Sequence, residues 1–239
     1  LLTKSKNPGL TAKQFTDDLQ QLVSKPPTDN ARYFRGDDRQ NKCLGVKMAV
    51  LFGLAKKYME MQPAEIEKLL DSPYYEARMG AVSIMDFKAR QKKISDESRE
   101  ELFNLYMKKH DRINNWDLVD RSAPFVVGGY LSDKPRKILY SLAKSKNVCE
   151  RRTAIVSTWF FIRQNDVADT FKIAALLVHD QHDLINKAVG SWVREAGKRD
   201  RQKLIDFLDR FAATMPRETL RYAVEKLDSR TKAFYLGKK

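Results

Sequence analysis

The segment Glu76-Ala77-Arg78-Met79-Gly80-Ala81-Val82-Ser83 returns 74 residues later as Glu150-Arg151-Arg152-Thr153-Ala154-Ile155-Val156-Ser157, with Glu, Arg and Ser in register. Half of that offset leads from Arg78 to Asn115, and steps of 34 and 35 residues lead from Arg152 to Asn186 and Arg221. A period of this length is that of a repeated helix pair, which buries its apolar face only against its neighbours in the stack. This restricts the chain to serial architectures, in which equivalent positions of successive repeats line one wall.

The local pattern agrees. Apolar residues recur at three- and four-residue spacing almost throughout, while alternating strand-like segments and Asn-Gly or Asp-Gly hairpin turns are missing. Thr11 with Gln14 forms a capping-box pattern, Pro63 and Pro216 suit first-turn positions, and Ser95 precedes an acidic first turn. Helices are expected near 11–24, 44–60, 63–71, 74–91, 96–109, 115–123, 134–145, 149–164, 166–179, 183–198, 201–214 and 216–227. The clearest loop is 26–42, from Pro26-Pro27 through Gly36-Asp37-Asp38. The expected fold is an all-α, HEAT-like helical-repeat solenoid with a concave basic groove. It forms a single domain over 1–239, with an N-terminal helix and loop in 1–42 and stacked helix pairs in 43–239.

Forty-five basic against 31 acidic side chains leave a formal net charge of +14. Such an excess concentrates polyanions at the surface, so nucleic acid is the first partner to consider. Lys and Arg cluster at Lys88, Arg90 and Lys92-Lys93, at Lys108-Lys109, at Lys134, Arg136 and Lys137, at Arg151-Arg152, and at Lys198, Arg199, Arg201 and Lys203. Many of these lie at helix ends, where rows of cations can track phosphates without regard to base sequence. Taken singly, each cluster also reads as a solvated face. No 18-residue apolar run or signal-like N-terminus appears, so a soluble cytosolic protein without a membrane partner is expected.

Absences narrow the chemistry further. Cys43 and Cys149 are too few for a disulfide framework or a Cys-rich metal site. His179 and His182 lack convincing further ligands, no His-x-Asp pair exists for non-haem iron, and neither phosphate-cradling glycine motif is present. Neither a metal nor another cofactor is expected.

Asn114-Asn115-Trp116-Asp117-Leu118-Val119-Asp120 is the most informative segment. At about 100° per residue, Trp116 and Asp120 are neighbours on one helix face, turned away from the apolar pair Leu118 and Val119. Pro124 should end or bend this helix soon after Asp120. Two readings stand: a site beside irregular chain, or a gap-filling Trp with a structurally paired Asp. Arg152 lies three, four and seven residues before Ile155, Val156 and Trp159, on the apolar side of its helix. A cation held there calls for an anionic partner, either a phosphate or a carboxylate such as Asp117 or Asp120. Trp192, in Ser191-Trp192-Val193-Arg194, is either a second groove aromatic or ordinary core.

With these residues in view, the sequence resembles the AlkD-type family of bacterial DNA glycosylases, which excise positively charged N3- and N7-alkylpurines on a HEAT-like scaffold. The resemblance covers most of the chain. It is carried by Trp116-Asp117-x-x-Asp120, by Arg151-Arg152-Thr153-Ala154-Ile155, and by Lys187-Ala188-Val189-Gly190 leading to Arg194-Glu195. Ala31-Arg32-Tyr33-Phe34 and Leu44-Gly45-Val46 resemble family positions as well.

The resemblance implies Asp120 as catalytic carboxylate, Trp116 and Arg152 beside it, Tyr33 as a further DNA-facing aromatic, and duplex DNA containing alkylated purines as substrate. It implies a monofunctional enzyme that leaves an abasic site. A monomer without an obligate protein partner is expected, since one lesion needs one concave surface. The chain departs from the family in carrying Ser191 where a Trp is usual, with Trp192 one place later, a step of about 100° on a helix. The Pro and Arg common soon after Leu-Gly-Val are replaced by Lys47-Met48-Ala49-Val50.

Overall fold

In the computed structural model, which describes residues 10–24 and 41–238, the helices begin where the sequence supplies donors and acceptors for their first turns. Thr11 and Gln14 exchange the reciprocal bonds of a capping box at the start of α1 (Ala12–Gln21). Gln62 precedes α3 (Pro63–Leu70), where proline takes the first position and its missing N–H costs nothing. Ser95 accepts from the Ser98 amide at the head of α5 (Asp96–Lys108). Asn147, His182 and Asp200 do the same for α8 (Val148–Val156), α11 (Asp183–Gly197) and α12 (Arg201–Phe211). Pro216 stands one residue before α13 (Arg217–Ala223), as its cap rather than inside it.

Among the described residues there is no strand, only an isolated bridge between Lys42 and Tyr74. The fold is all-α and of the helical-repeat kind. The sequence-derived loop at 26–42 falls mostly outside the described residues.

The chain divides into two compact units, Leu1–Ser122 and Ala123–Lys239. In the first, α4 (Tyr75–Ala89) packs against α2 (Met48–Lys57) and α3, and nearly all of its residues are buried. Gly80 of α4 meets the ring of Phe15 so closely that a Cβ there would lie 2.3 Å from Phe15 Cζ. Ahead of α2, both oxygens of the buried Glu76 carboxylate accept backbone N–H groups, from Leu44 and Gly45, each at 2.9 Å. Gly45 has φ 88°, a conformation that favours glycine. This loop therefore delivers α2 in a fixed pose against α4. The unit ends within α6 (Trp116–Ala123).

In the second unit the chain passes from α6 into one turn of π-helix at Pro124–Gly128. Proline has no N–H to donate to the preceding turn, and the wider turn absorbs the break that the sequence leads one to expect. After α7 (Lys137–Leu142), the segment expected as one helix over 149–164 is split into α8 and α9 (Trp159–Arg163). Ser157 Oγ donates to the Thr153 carbonyl and Thr158 Oγ1 to the Ile155 carbonyl, the back-bonding that bends helices.

Next come α10 (Ala168–Leu177), α11, α12, α13 and a further helix, α14 (Ser229–Gly237), which the sequence pattern did not reveal. Helix α11 packs against α8, α10, α12 and α13. It approaches α13 closely at Gly190, where a Cβ would sit 2.6 Å from the Thr219 carbonyl oxygen. The frame positions Arg78, Arg152, Asn186 and Arg221 lie four or five residues into α4, α8, α11 and α13, whereas Asn115 immediately precedes α6.

Candidate functional site

Helix α6 is short and strongly two-sided. Leu118 and Val119 are fully buried, whereas Trp116, Asp117, Asp120 and Arg121 are half-buried. Asp117, Asp120 and Arg121 share one face by their spacing, and they line an open cleft of about 350 Å³ together with Met48, Phe52, Met79 and Arg90. Helix α2 supplies Met48 and Phe52, α4 supplies Met79, and Arg90 caps the C-terminal end of α4.

The two aspartates of this cleft are differently placed. Asp117 accepts from Tyr75 Oη and, through Oδ1, from Asn115 Nδ2 at 2.8 Å and the Leu118 amide at 2.9 Å. Asp117 thereby pins the first turn of α6 to α4 and holds the helix in register. Three residues on, Asp120 presents its side chain to the cleft from a helix that Asp117 has already oriented.

Arg121 is held from several directions. Its guanidinium lies between the rings of Phe52 and Phe87, 4.8 and 4.7 Å from their centroids. Its Nε donates to Ser83 Oγ at 3.1 Å, and Nη1 lies 3.2 Å from Asp86 Oδ2. Asp86, 0% exposed, also receives Arg90 Nε on both oxygens at 2.8 Å. Burial pushes the Asp86 carboxyl above its ordinary value while Arg121 and Arg90 pull it down. Burial likewise pushes Arg121 below its usual range, against the attraction of Asp86.

The family described as DNA alkylation repair enzyme matches residues 18–227 of the sequence. The chain belongs to the DNA alkylation repair enzyme family. It therefore has a role in DNA alkylation repair. The crystal structure of AlkD2 from Streptococcus mutans matches the fold with a TM-score of 0.51 at 18% identity, covering 92% of this chain and 100% of that one. At that identity the likeness speaks for the fold alone. No curated protein sequence matches the chain.

Against this family background, the remaining residues singled out from the sequence fall into distinct places. Arg152, in α8, is 7% exposed and donates through Nη1 to the Leu184 carbonyl in the first turn of α11, at 2.5 Å. Its repeat equivalent Arg78, 2% exposed, donates similarly to the Ser72 carbonyl at 3.0 Å. The shared arginine of the repeat thus has a backbone-bracing role in both copies. Trp192 donates its Nε1–H to the Val156 carbonyl at the end of α8, at 3.2 Å, and packs edge-on against Trp159 with ring centroids 6.3 Å apart. It stitches α11 to α8. Ser191 beside it is half-buried. Tyr33 lies outside the described residues.

Sequence reasoning paired Asp120 with Trp116 and overlooked Arg121, Phe52 and Phe87. Arg121 carries an available signal, since it follows Asp117 at the i,i+4 spacing of helical charge pairs. Phe52 and Phe87 come from separate helices and are brought to it only by folding. Among the described residues, no group of three or more His, Cys, Asp or Glu side chains is arranged to hold a metal, and no helix is long and apolar enough to cross a membrane.

Proposed function

We propose that the protein hydrolyses the N-glycosidic bond of positively charged N3- or N7-alkylpurines in duplex DNA, leaving an abasic site, with Asp120 as the catalytic carboxylate. The observation that carries this reading is the place of Asp120: it lines an open cleft with an apolar wall of Met48, Phe52 and Met79. A carboxylate presented beside apolar surface interacts more strongly with a developing cation than one in water.

Alkylation at N3 or N7 gives the purine a formal positive charge. When the glycosidic bond breaks, its electron pair neutralises the departing base, which needs no obligatory general acid. The deoxyribose left behind is an oxocarbenium-like cation. Asp120 stabilises that charge and accepts a proton from the attacking water as its oxygen bonds to the anomeric carbon. The products are a neutral alkylpurine, an abasic sugar and a proton. With no lysine nucleophile in the scheme, the strand stays intact. By the family resemblance, Trp116 and Tyr33 would contribute further contacts to the DNA around the lesion.

The test is release of free base from methylated duplex DNA, measured by chromatography. The wild-type protein should liberate 3-methyladenine or 7-methylguanine, and Asp120→Asn should bind the duplex normally while excising at least about 100-fold more slowly. Full activity in that variant would remove Asp120 from the mechanism. Intact duplex binding with neither base released by the wild type would make the protein a binding module.

A further inference from the structure

We propose that Arg90 and Arg121 form a phosphate-binding pair in the cleft that contains Asp120, gripping one backbone phosphodiester of the strand that carries the lesion. The inference rests on the reading of duplex DNA as substrate, but not on catalysis by Asp120.

The geometry is that of a prepared anion site. Two guanidiniums surround one carboxylate, so the Asp86 cluster carries a formal positive charge in excess. Asp86 is wholly buried and engages Arg90 through Nε, and the Arg90 side chain is still 44% exposed where it lines the cleft. Arg121 is 21% exposed and is fixed between two aromatic rings with a serine on its Nε, so little rotamer freedom remains to be lost when an anion binds.

Arg90 and Arg121 meet on the one carboxylate of Asp86, and the repulsion between these like charges is a cost that an anion in the cleft would relieve. Two guanidiniums lining one cleft suit a group with two equivalent oxygens, and a phosphodiester has two non-bridging ones. A volume of about 350 Å³ is at the small end of ligand-sized clefts, suited to one nucleotide rather than to a folded segment.

The two sets of charges fit the two ends of the same ligand. An alkylated nucleotide in DNA is a zwitterion, with a cationic purine and an anionic phosphate. Asp117 and Asp120 bring negative charge to the cleft, and Arg90 with Arg121 bring positive charge. Such a site distinguishes a charged lesion from a neutral base while using the phosphate to set its register.

The experiment measures affinity for unmodified duplex against salt concentration, and for duplexes in which one phosphate at a time is replaced by a neutral methylphosphonate. Arg90→Gln should weaken binding about 10-fold at low salt and reduce the slope of log affinity against log salt by about one. One methylphosphonate position should cost the wild type a similar factor and cost Arg90→Gln less than about 2-fold more, the non-additivity expected of a shared contact. Arg90→Lys and Arg121→Lys keep the charge and should keep the slope, and they serve as probes if the neutral variant does not fold. The proposal is overturned if Arg90→Gln melts normally with an unchanged slope, or if its loss multiplies with that of every methylphosphonate position. Because no excision is measured, these outcomes are independent of whether Asp120→Asn loses activity.

Discussion

Each unit contains an arginine stacked on phenylalanine and paired with aspartate, but the two clusters have opposite stoichiometry. In the first, Arg121 and Arg90 share the single carboxylate of Asp86. In the second, Arg136 alone serves two carboxylates, Asp166 at 2.6 Å and Asp169 at 2.8 Å, over the ring of Phe161 at 3.7 Å. The remaining donors of Arg136 go to the carbonyls of Leu131 and Ser132, and Tyr140 closes the ring of contacts by donating to Asp169.

The electrostatic consequences diverge in the same way. Burial pulls against the charged form of both arginines. It prevails at Arg121, whereas the two carboxylates prevail at Arg136 and hold it above its usual value. With acceptors in excess, the cluster of the second unit is complete in itself and acts as a strut. The cluster of the first unit, with two arginines on one carboxylate, is the one proposed to take a phosphate.

The sharpest way to break this contrast is to exchange the consequences. Asp120→Asn, beside the Arg121 cluster, should lower excision at least about 100-fold when measured well below the unfolding transition. Arg136→Met should do the reverse, costing about 3 kcal/mol in urea unfolding by leaving two carboxylates without their cation, and sparing excision measured well below the transition. An Arg136→Met protein of normal stability would remove the strut assignment. A smaller effect is expected at the tryptophan that joins α11 to α8: Trp192→Phe gives up the bond to the Val156 carbonyl, so it should cost about 1 kcal/mol and leave excision unchanged. A large loss of excision there would instead put Trp192 among the DNA contacts.

The smallest effect is a difference of sign with pH. At Asp169, burial raises the carboxyl, but the bonds from Tyr140 and Arg136 prevail and hold it below its ordinary 3.8. Its stabilising contribution is therefore complete above that value and is lost as pH falls through the lower, folded one. At Asp86 burial prevails and the folded value lies above 3.8. The folded state there binds the proton more tightly than the unfolded chain, so stability from this group rises as pH falls through the folded value. Urea midpoints from pH 7 toward about 3 should show the advantage of wild type over Asp169→Asn shrinking, and the balance between wild type and Asp86→Asn moving in favour of wild type. Parallel trends would show that the two clusters are not electrostatic opposites.

The sequence displays local features well. Caps at Thr11 and Ser95, proline at position 63 and the recurrence of Arg78 at Arg152 all act within a turn or a helix pair, and each appears where expected. The division between α8 and α9 was less visible because it depends on which carbonyls the hydroxyls of Ser157 and Thr158 choose. Helix α14 carried a signal in Asp228, which accepts from the Thr231 amide, but its apolar pattern is weak. At the site, Asp120 stood out through the resemblance around Trp116. The setting of Arg121 did not, because Phe52, Ser83, Asp86 and Phe87 lie more than 30 residues away and meet it only through the packing of α2, α4 and α6.

The tryptophans described above also make the molecule its own optical probe. Of the chain's three, Trp159 and Trp192 pack edge to face in the second unit, with ring centroids 6.3 Å apart. The third, Trp116, is four residues from Asp120. Replacing that pair with phenylalanine would leave one emitter, on the helix that carries Asp120, so that a change in its emission on adding duplex reads binding without an attached dye.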